Sequence, residues 1–95
     1  MTLARTAKRR DENEPAIRRV LEAAGCLVWT LDRPVDLLVG YRGAWTLVEV
    51  KNPGRRWKLT PGQAELVELA TNGQVGPVHV VTTPDEALRA VGVGR

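Results

Sequence analysis

The spacing of apolar residues predicts three helices and four strands along this chain. Apolar residues recur at helical spacing over 14–24, with Ile17 and Leu21 among them, and Gly25 follows. The other expected elements are strands over 26–31, 35–39 and 45–51, a helix over 61–72, a strand over 76–81 and a short helix that begins at Thr83. This order predicts an α/β fold in which helices pack on a mixed sheet.

Two of the expected strands each carry one acid among apolar residues, at Asp36 and Glu49. A two-residue hairpin turn at Arg42-Gly43 would place these acids opposite each other, with Cβ atoms about 4.5–5.5 Å apart. Lys51 would share their face, because alternate residues of a strand point the same way. The opposite face would then be an apolar core face, formed by Val35, Leu37, Val39, Val48 and Val50.

Directly opposed carboxylates repel each other, so the predicted hairpin needs a positive charge between Asp36 and Glu49. Either a metal ion or Lys51 would supply it. Mg²⁺ takes oxygen ligands and is commonly held by one or two carboxylates. Two alternatives stay open: Glu49 and Lys51 form a simple ion pair on a half-exposed strand, or a one-residue slip in register separates the two acids.

Length and composition are those of one small domain. The chain has 95 residues, and we expect residues 1–10 to be a flexible basic arm and residues 11–95 to be a single domain. No apolar run approaches the roughly 20 residues that a membrane span needs. The single cysteine, Cys26, cannot form an internal disulfide, and we expect a cytoplasmic protein.

Basic residues are clustered, although the net charge of +3 is modest. The two clusters are Arg5, Lys8, Arg9 and Arg10 at the start, and Lys51, Arg55, Arg56 and Lys58 in the middle. Such clusters favour a polyanionic partner, but two solvated basic faces explain them equally well.

Three segments together resemble the PD-(D/E)XK nuclease superfamily. They are Val-Asp-Leu-Leu-Val-Gly at 35–40, Leu-Val-Glu-Val-Lys-Asn-Pro-Gly at 47–54 and Leu-Thr-Pro-Gly-Gln-Ala-Glu at 59–65. The resemblance covers about residues 11–91. It is closest to small stand-alone VRR-NUC nucleases of the phage type, and more distant to archaeal Holliday junction resolvases. It implies an αβββαβ restriction-endonuclease-like core with a short C-terminal helix.

The resemblance also implies roles for the acidic hairpin. Asp36 matches the first metal-binding acid, Glu49 the second, and Lys51 the catalytic lysine. The main-chain carbonyl of Val50 would be a further metal ligand. The chain departs from the family at Val35, where proline is usual and Pro34 lies one residue earlier.

Two more residues match the family, and each has an alternative role as a helix cap. Glu14 matches the family's first-helix glutamate, but it is also placed to complete a capping box begun by Asp11. Gln63 matches the glutamine of the second helix, but it lies three residues after Thr60, as a capping residue would. Glu86 follows Thr83 in the same way and is expected to be a cap.

The loop after the third strand is the expected DNA contact. Arg55, Arg56 and Lys58 would bind phosphates, as would Arg9 and Arg10 in the arm. Trp57 would either contact DNA, by stacking on an unpaired base or packing on the sugar face of a duplex, or close the core. We expect structural roles for three further residues with ring side chains. Trp29 and Trp45 would be core or dimer contacts, and His79 would be a structural residue within its strand.

These features predict a DNA endonuclease that uses Mg²⁺ or Mn²⁺. The expected substrate is branched or structured DNA, such as Holliday junctions or flaps, and it rests on the resemblance alone. We expect a two-fold homodimer in a bacterial or phage-infected cytosol, with no membrane and no organic cofactor. The alternatives are a nucleic-acid-binding or assembly module that does not cut, and a small structural protein whose acids are neutralised by Lys51.

Overall fold

A computed structural model describes residues 12–94, which form three helices and one four-stranded sheet. The elements are α1 (Glu14–Ala23), β1 (Leu27–Thr30), β2 (Leu37–Tyr41), β3 (Ala44–Val50), α2 (Pro61–Thr71), β4 (Val78–Val81) and α3 (Pro84–Val91). The expected arm at 1–10, with Arg9 and Arg10, lies outside the described residues, as does Asp11. The predicted order of elements is confirmed.

The sheet is mixed and follows the chain order β1-β2-β3-β4. The first three strands are antiparallel neighbours, and β4 runs parallel to β3 after the crossover through α2. A parallel neighbour requires such a crossover, because a tight turn can only join antiparallel strands. No helix within residues 12–94 has the length and apolar character needed to cross a membrane.

The hairpin between β2 and β3 has the predicted register. Tyr41 pairs with Ala44, and the pairing continues to Leu37 opposite Val48. Arg42 and Gly43 both have positive φ, at 50° and 82°. Two successive positive φ values are the mark of a type I′ turn, whose twist matches that of the flanking strands. The turn therefore fixes which side chains of the two strands share a face.

One face of the sheet forms the core, and α1 and α3 cover it. The predicted core face of the hairpin is confirmed, since its five apolar residues are at most 1% exposed. From the helices, Ile17, Leu21 and Ala87 are fully buried against them. These helices also contact each other. In α2, by contrast, Gln63 alone is buried, and the apolar residues Leu66, Val67 and Ala70 are half-buried.

Three strands begin later than predicted, and for two of them the reason is identifiable. β2 begins at Leu37 because Asp36 directs its side chain, instead of its backbone, towards β3. β4 begins at Val78 because Pro77 has no N–H to donate, although its carbonyl accepts from Leu47 at 3.0 Å. β1 also loses a residue at each end, and α1 ends at Ala23, two residues before Gly25 at φ +94°.

Candidate functional site

Asp36 is a buried carboxylate at the start of β2. Its residue is 3% exposed, and its Oδ2 accepts a hydrogen bond from the backbone N–H of Val50 at 2.7 Å. A bond of this length to an ionised acceptor is among the stronger kinds of hydrogen bond. It fixes the Asp36 side chain beside the last residue of β3.

Glu49 and Lys51 form an ion pair at the same end of the sheet. The Lys51 Nζ lies 3.1 Å from Glu49 Oε2, and their side chains are 16% and 3% exposed. The two residues are alternate positions of the chain and point to one face, as predicted. Lys51 therefore supplies at least part of the positive charge that the buried acids require.

The expectation that Asp36 and Glu49 are directly paired across the strands is wrong. The β2–β3 ladder ends at Leu37 opposite Val48, one step before the two acids would pair. Asp36 instead bonds the backbone of Val50, the residue after Glu49. The two carboxylates thus lie by the same short segment of β3 without being opposed across a regular ladder.

Glu14 is the first residue of α1 and is only 4% exposed. The N-cap of this helix is Asn13, whose side-chain Nδ2 donates to the carbonyls of Lys51 at 3.0 Å and Thr82 at 2.7 Å. The start of α1 is thereby attached to the end of β3. The sequence analysis missed Asn13, because no local pattern reveals a side chain that bridges to residues 38 and 69 positions away.

Gln63 is a helix cap, which is one of the two roles that the sequence left open, and its match to the family's glutamine stays a prediction. It forms a capping box with Thr60, in which its Oε1 accepts from Thr60 N at 3.0 Å and its N–H donates to Thr60 Oγ1 at 3.2 Å. Its Nε2 also donates to the carbonyl of Pro34 at 3.0 Å. One side chain thus starts α2 and holds the segment that leads into Asp36.

Glu86 is confirmed as the second expected cap. Its carboxylate, however, accepts from the backbone of Thr82 and not from that of Thr83. The N–H of Glu86 donates to Thr83 Oγ1 at 3.1 Å, while its Oε1 accepts from the backbone N–H of Thr82 at 2.7 Å. This backbone hydrogen bond is the main reason that the pKa of Glu86 lies below its ordinary value. Glu86 therefore has a structural role at the start of α3.

The basic loop at 55–58 is fully on the surface. Arg55, Arg56 and Lys58 are exposed, and Trp57 is 45% exposed. Of the two roles considered for Trp57, closing the core is wrong. None of the ion pairs among residues 12–94 involves this loop, so its three cations are available to an anionic partner.

Trp29 and Trp45 also lie on the surface, so the expectation that they belong to the core is wrong. They are 55% and 50% exposed, and their ring centroids are 6.0 Å apart. The Trp45 ring covers Gly40, where a Cβ would approach ring atom Cζ3 to 2.9 Å. We call the surface formed by these rings and the neighbouring apolar side chains on the same sheet face the tryptophan face. Its residues are Leu27, Trp29, Leu38, Trp45 and Leu47.

The cysteine and histidine add no reactive group to this site. Cys26 is buried, and burial raises the pKa of its thiol, which disfavours the nucleophilic thiolate. His79 is exposed on β4. Within residues 12–94, no three Asp, Glu, His or Cys side chains converge as a metal-binding group.

No protein-family model, curated protein or solved structure matches this chain. The buried acids, Lys51 and the exposed basic loop are therefore the features of the molecule that bear on function.

Proposed function

We propose that this protein is a divalent-metal-dependent DNA endonuclease with the αβββαβ core of the PD-(D/E)XK nucleases. The observation that carries the proposal is the burial of Asp36 and Glu49 at one end of the sheet, with Lys51 ion-paired beside them. Burying carboxylates is costly unless they are paired or bind a metal. The resemblance of the three sequence segments supports the same assignment.

The donor set fits Mg²⁺ or Mn²⁺. Both ions prefer oxygen ligands, and Mg²⁺ is commonly bound through only one or two carboxylates plus water and phosphate. Asp36 and Glu49 would hold the ion, with the Val50 carbonyl and Glu14 as the further ligands that the resemblance implies. When bound, the ion would neutralise phosphate charge and lower the pKa of a bound water.

The chain's own groups have distinct tasks in this proposal. The Val50 N–H holds one oxygen of Asp36 and so orients that carboxylate. The Lys51 ammonium is 3.1 Å from Glu49 and has three N–H donors, so it can orient Glu49 while it also donates to a phosphate oxygen. Positive charge placed where negative charge develops stabilises the transition state of phosphodiester hydrolysis.

DNA would reach this site across the basic loop. Arg55, Arg56 and Lys58 follow Lys51 within a few residues and are exposed. Their charges suit phosphate contacts, and the exposed ring of Trp57 suits stacking on an unpaired base. Structured DNA such as junctions and flaps is the proposed substrate, and that choice rests on the resemblance alone.

Cleavage assays test the proposal directly. Four-way junctions, flaps and duplex would be incubated with Mg²⁺, Mn²⁺ or Ca²⁺, using wild type, Lys51→Ala and the loop control Lys58→Ala. We expect Lys51→Ala to slow cleavage by about 100-fold or more, as is typical when a charge-stabilising donor is removed. Lys58→Ala should mainly weaken binding. DNA binding without any Lys51-dependent cleavage would favour the alternative, a non-cutting nucleic-acid-binding or assembly module.

We also propose that the protein pairs as a two-fold homodimer through the tryptophan face. This surface carries no charge, so two copies can face each other without opposed like charges, and it lacks the cations that a DNA-binding surface needs. Large aromatic side chains bury about 150–250 Å² each, so two half-exposed rings would form the apolar centre of an interface. Exposed apolar patches of this kind typically mark protein contacts.

The oligomeric state tests this pairing. Sedimentation equilibrium should give twice the chain mass of 10.4 kDa for the wild type. Trp29→Ser with Trp45→Ser should give the chain mass, whereas the matched control Trp57→Ser should leave the dimer intact. A wild-type monomer at high protein concentration would rule out the pairing.

A further inference from the structure

Asn13 occupies the N-cap position of α1 but does not cap the helix. Asparagine is one of the preferred N-cap residues, because its side-chain oxygen accepts from a free backbone N–H of the first turn. Here the side chain makes no such bond, and the backbone is helical at φ −84° and ψ −7° instead of extended. The Asn13 carboxamide is directed to other partners.

Those partners are the carbonyl groups at the ends of two strands. Asn13 Nδ2 donates to Lys51 O at 3.0 Å and to Thr82 O at 2.7 Å. Both partners can only accept, so chemistry requires the NH₂ group of the amide to face them. Its Oδ1 is buried and has no hydrogen-bond partner among residues 12–94. The amide is therefore oriented for its two donors.

These two bonds connect three parts of the candidate site. Asn13 precedes Glu14, while Lys51 and Thr82 are the residues that follow β3 and β4. The same strand ends are joined by the bond from Lys51 N to Val81 O at 2.9 Å. A single side chain thus holds the start of α1 against the segment that carries Lys51.

We propose that Asn13 is a positioning residue that fixes Lys51 and Glu14 relative to each other. The catalytic consequence of this assignment rests on the proposed nuclease function, whereas the positioning itself does not. Neither carboxylate of the hairpin contacts Asn13 through a side-chain hydrogen bond, so its effect on the reaction passes through the Lys51 backbone and the start of α1.

Kinetics of Asn13→Ala, with the exposed Asn72→Ala as matched control, provide the first test. Displacement of a catalytic group by about 1 Å can cost about 100-fold in rate. We expect kcat to fall about 10- to 100-fold in Asn13→Ala, with KM for DNA within about 2-fold, because the exposed loop still binds phosphate. Unchanged kcat, or equal changes in kcat and KM, would overturn the proposal.

Amide hydrogen exchange measured by NMR provides a second test that needs no activity. We expect Asn13→Ala to reduce the protection of the Val50 and Lys51 amides by about 10-fold, while amides of the β2–β3 hairpin near its turn keep theirs. Asn13→Ser, which retains one donor, should give a smaller loss. Unchanged protection of Val50 and Lys51 would contradict the proposal.

The two tests separate the positioning role from the nuclease function. Local loss of protection in a protein that cuts no DNA would contradict the nuclease function and leave the positioning role supported. If Asn13→Ser unfolds globally while Asn72→Ala stays folded, Asn13 is a general stability element and the positioning proposal fails.

Discussion

The two faces of the sheet differ in what covers them and in what they bury. On the core face, α1 and α3 cover apolar side chains such as Leu37 and Val48, which are fully buried. On the opposite face lie Glu49 and the half-exposed rings of the tryptophan face. The core face buries apolar side chains, as is usual. The opposite face, which we call the open face, combines the buried charge of Glu49 with the exposed aromatic surface of the tryptophan face. Buried charge and exposed aromatic rings are better explained by a functional role of this face than by a contribution to stability.

Leu37 and its neighbour Leu38 give the sharpest test of this difference, because they point to opposite faces. Leu37 is fully buried, and Leu38 is half-buried on the tryptophan face. We expect Leu37→Ala to lower the free energy of unfolding by about 2–5 kcal/mol, and Leu38→Ala by less than about 1 kcal/mol. Urea denaturation followed by circular dichroism measures both. Equal losses would show that the two faces contribute alike.

Metal addition should stabilise the open face. A ligand present at about 100 times its dissociation constant stabilises the native state by about 2.7 kcal/mol. We expect Mn²⁺ to raise the midpoint of thermal unfolding of the wild type, and Asp36→Asn to remove that rise. Asp85→Asn, which changes an exposed carboxylate on α3, should respond to Mn²⁺ as the wild type does. A full response in Asp36→Asn would place the ion elsewhere.

Gln63 links the start of α2 to the segment before Asp36, and its loss should have an intermediate effect. Gln63→Ala removes the side-chain half of a capping box and the bond to Pro34. We expect a loss of about 1–2 kcal/mol in the free energy of unfolding. The exposed Gln74→Ala is the matched control. If Gln63→Ala is as stable as Gln74→Ala, the Pro34 bond contributes no measurable stability.

Glu86 should give the smallest effect, and it acts on the helix that covers the core face. Its pKa is lowered in the folded protein, mainly by the backbone N–H of Thr82. The stabilising effect is therefore present above the ordinary pKa of glutamate and is lost as pH falls through the lower folded value. We expect acid to destabilise the wild type more than Glu86→Gln. Parallel pH dependence of thermal midpoints in the two proteins would contradict this.

Local sequence patterns predicted most of the fold, and one turn predicted the hairpin register. Arg42-Gly43 could be recognised because a two-residue turn leaves few geometries open. From that turn, the alternation of strand residues correctly gave the core face. The ends of the strands were less predictable, because Asp36 exchanges backbone pairing for a side-chain bond to Val50. Nothing local in the sequence encodes that exchange.

The candidate site was predictable by residue type but not by contact. Asp36, Glu49 and Lys51 stand out as charges within apolar strands, and the alternation of strand residues predicted that they share a face. The contacts of Asn13 depend on the packing of α1 against both strand ends, which only the folded chain determines. The exposure of Trp29 was likewise unpredictable, since tryptophan is normally mostly buried.

The Trp29–Trp45 pair also gives the protein a built-in optical signal. Indole rings whose centroids lie 6.0 Å apart at a tilt of 37° couple their electronic transitions. Such coupling produces paired positive and negative bands in the ultraviolet circular dichroism spectrum, to which the isolated Trp57 does not contribute. Any event that turns one ring, including a methyl group added at Gly40 beneath Trp45, would alter those bands without an attached label.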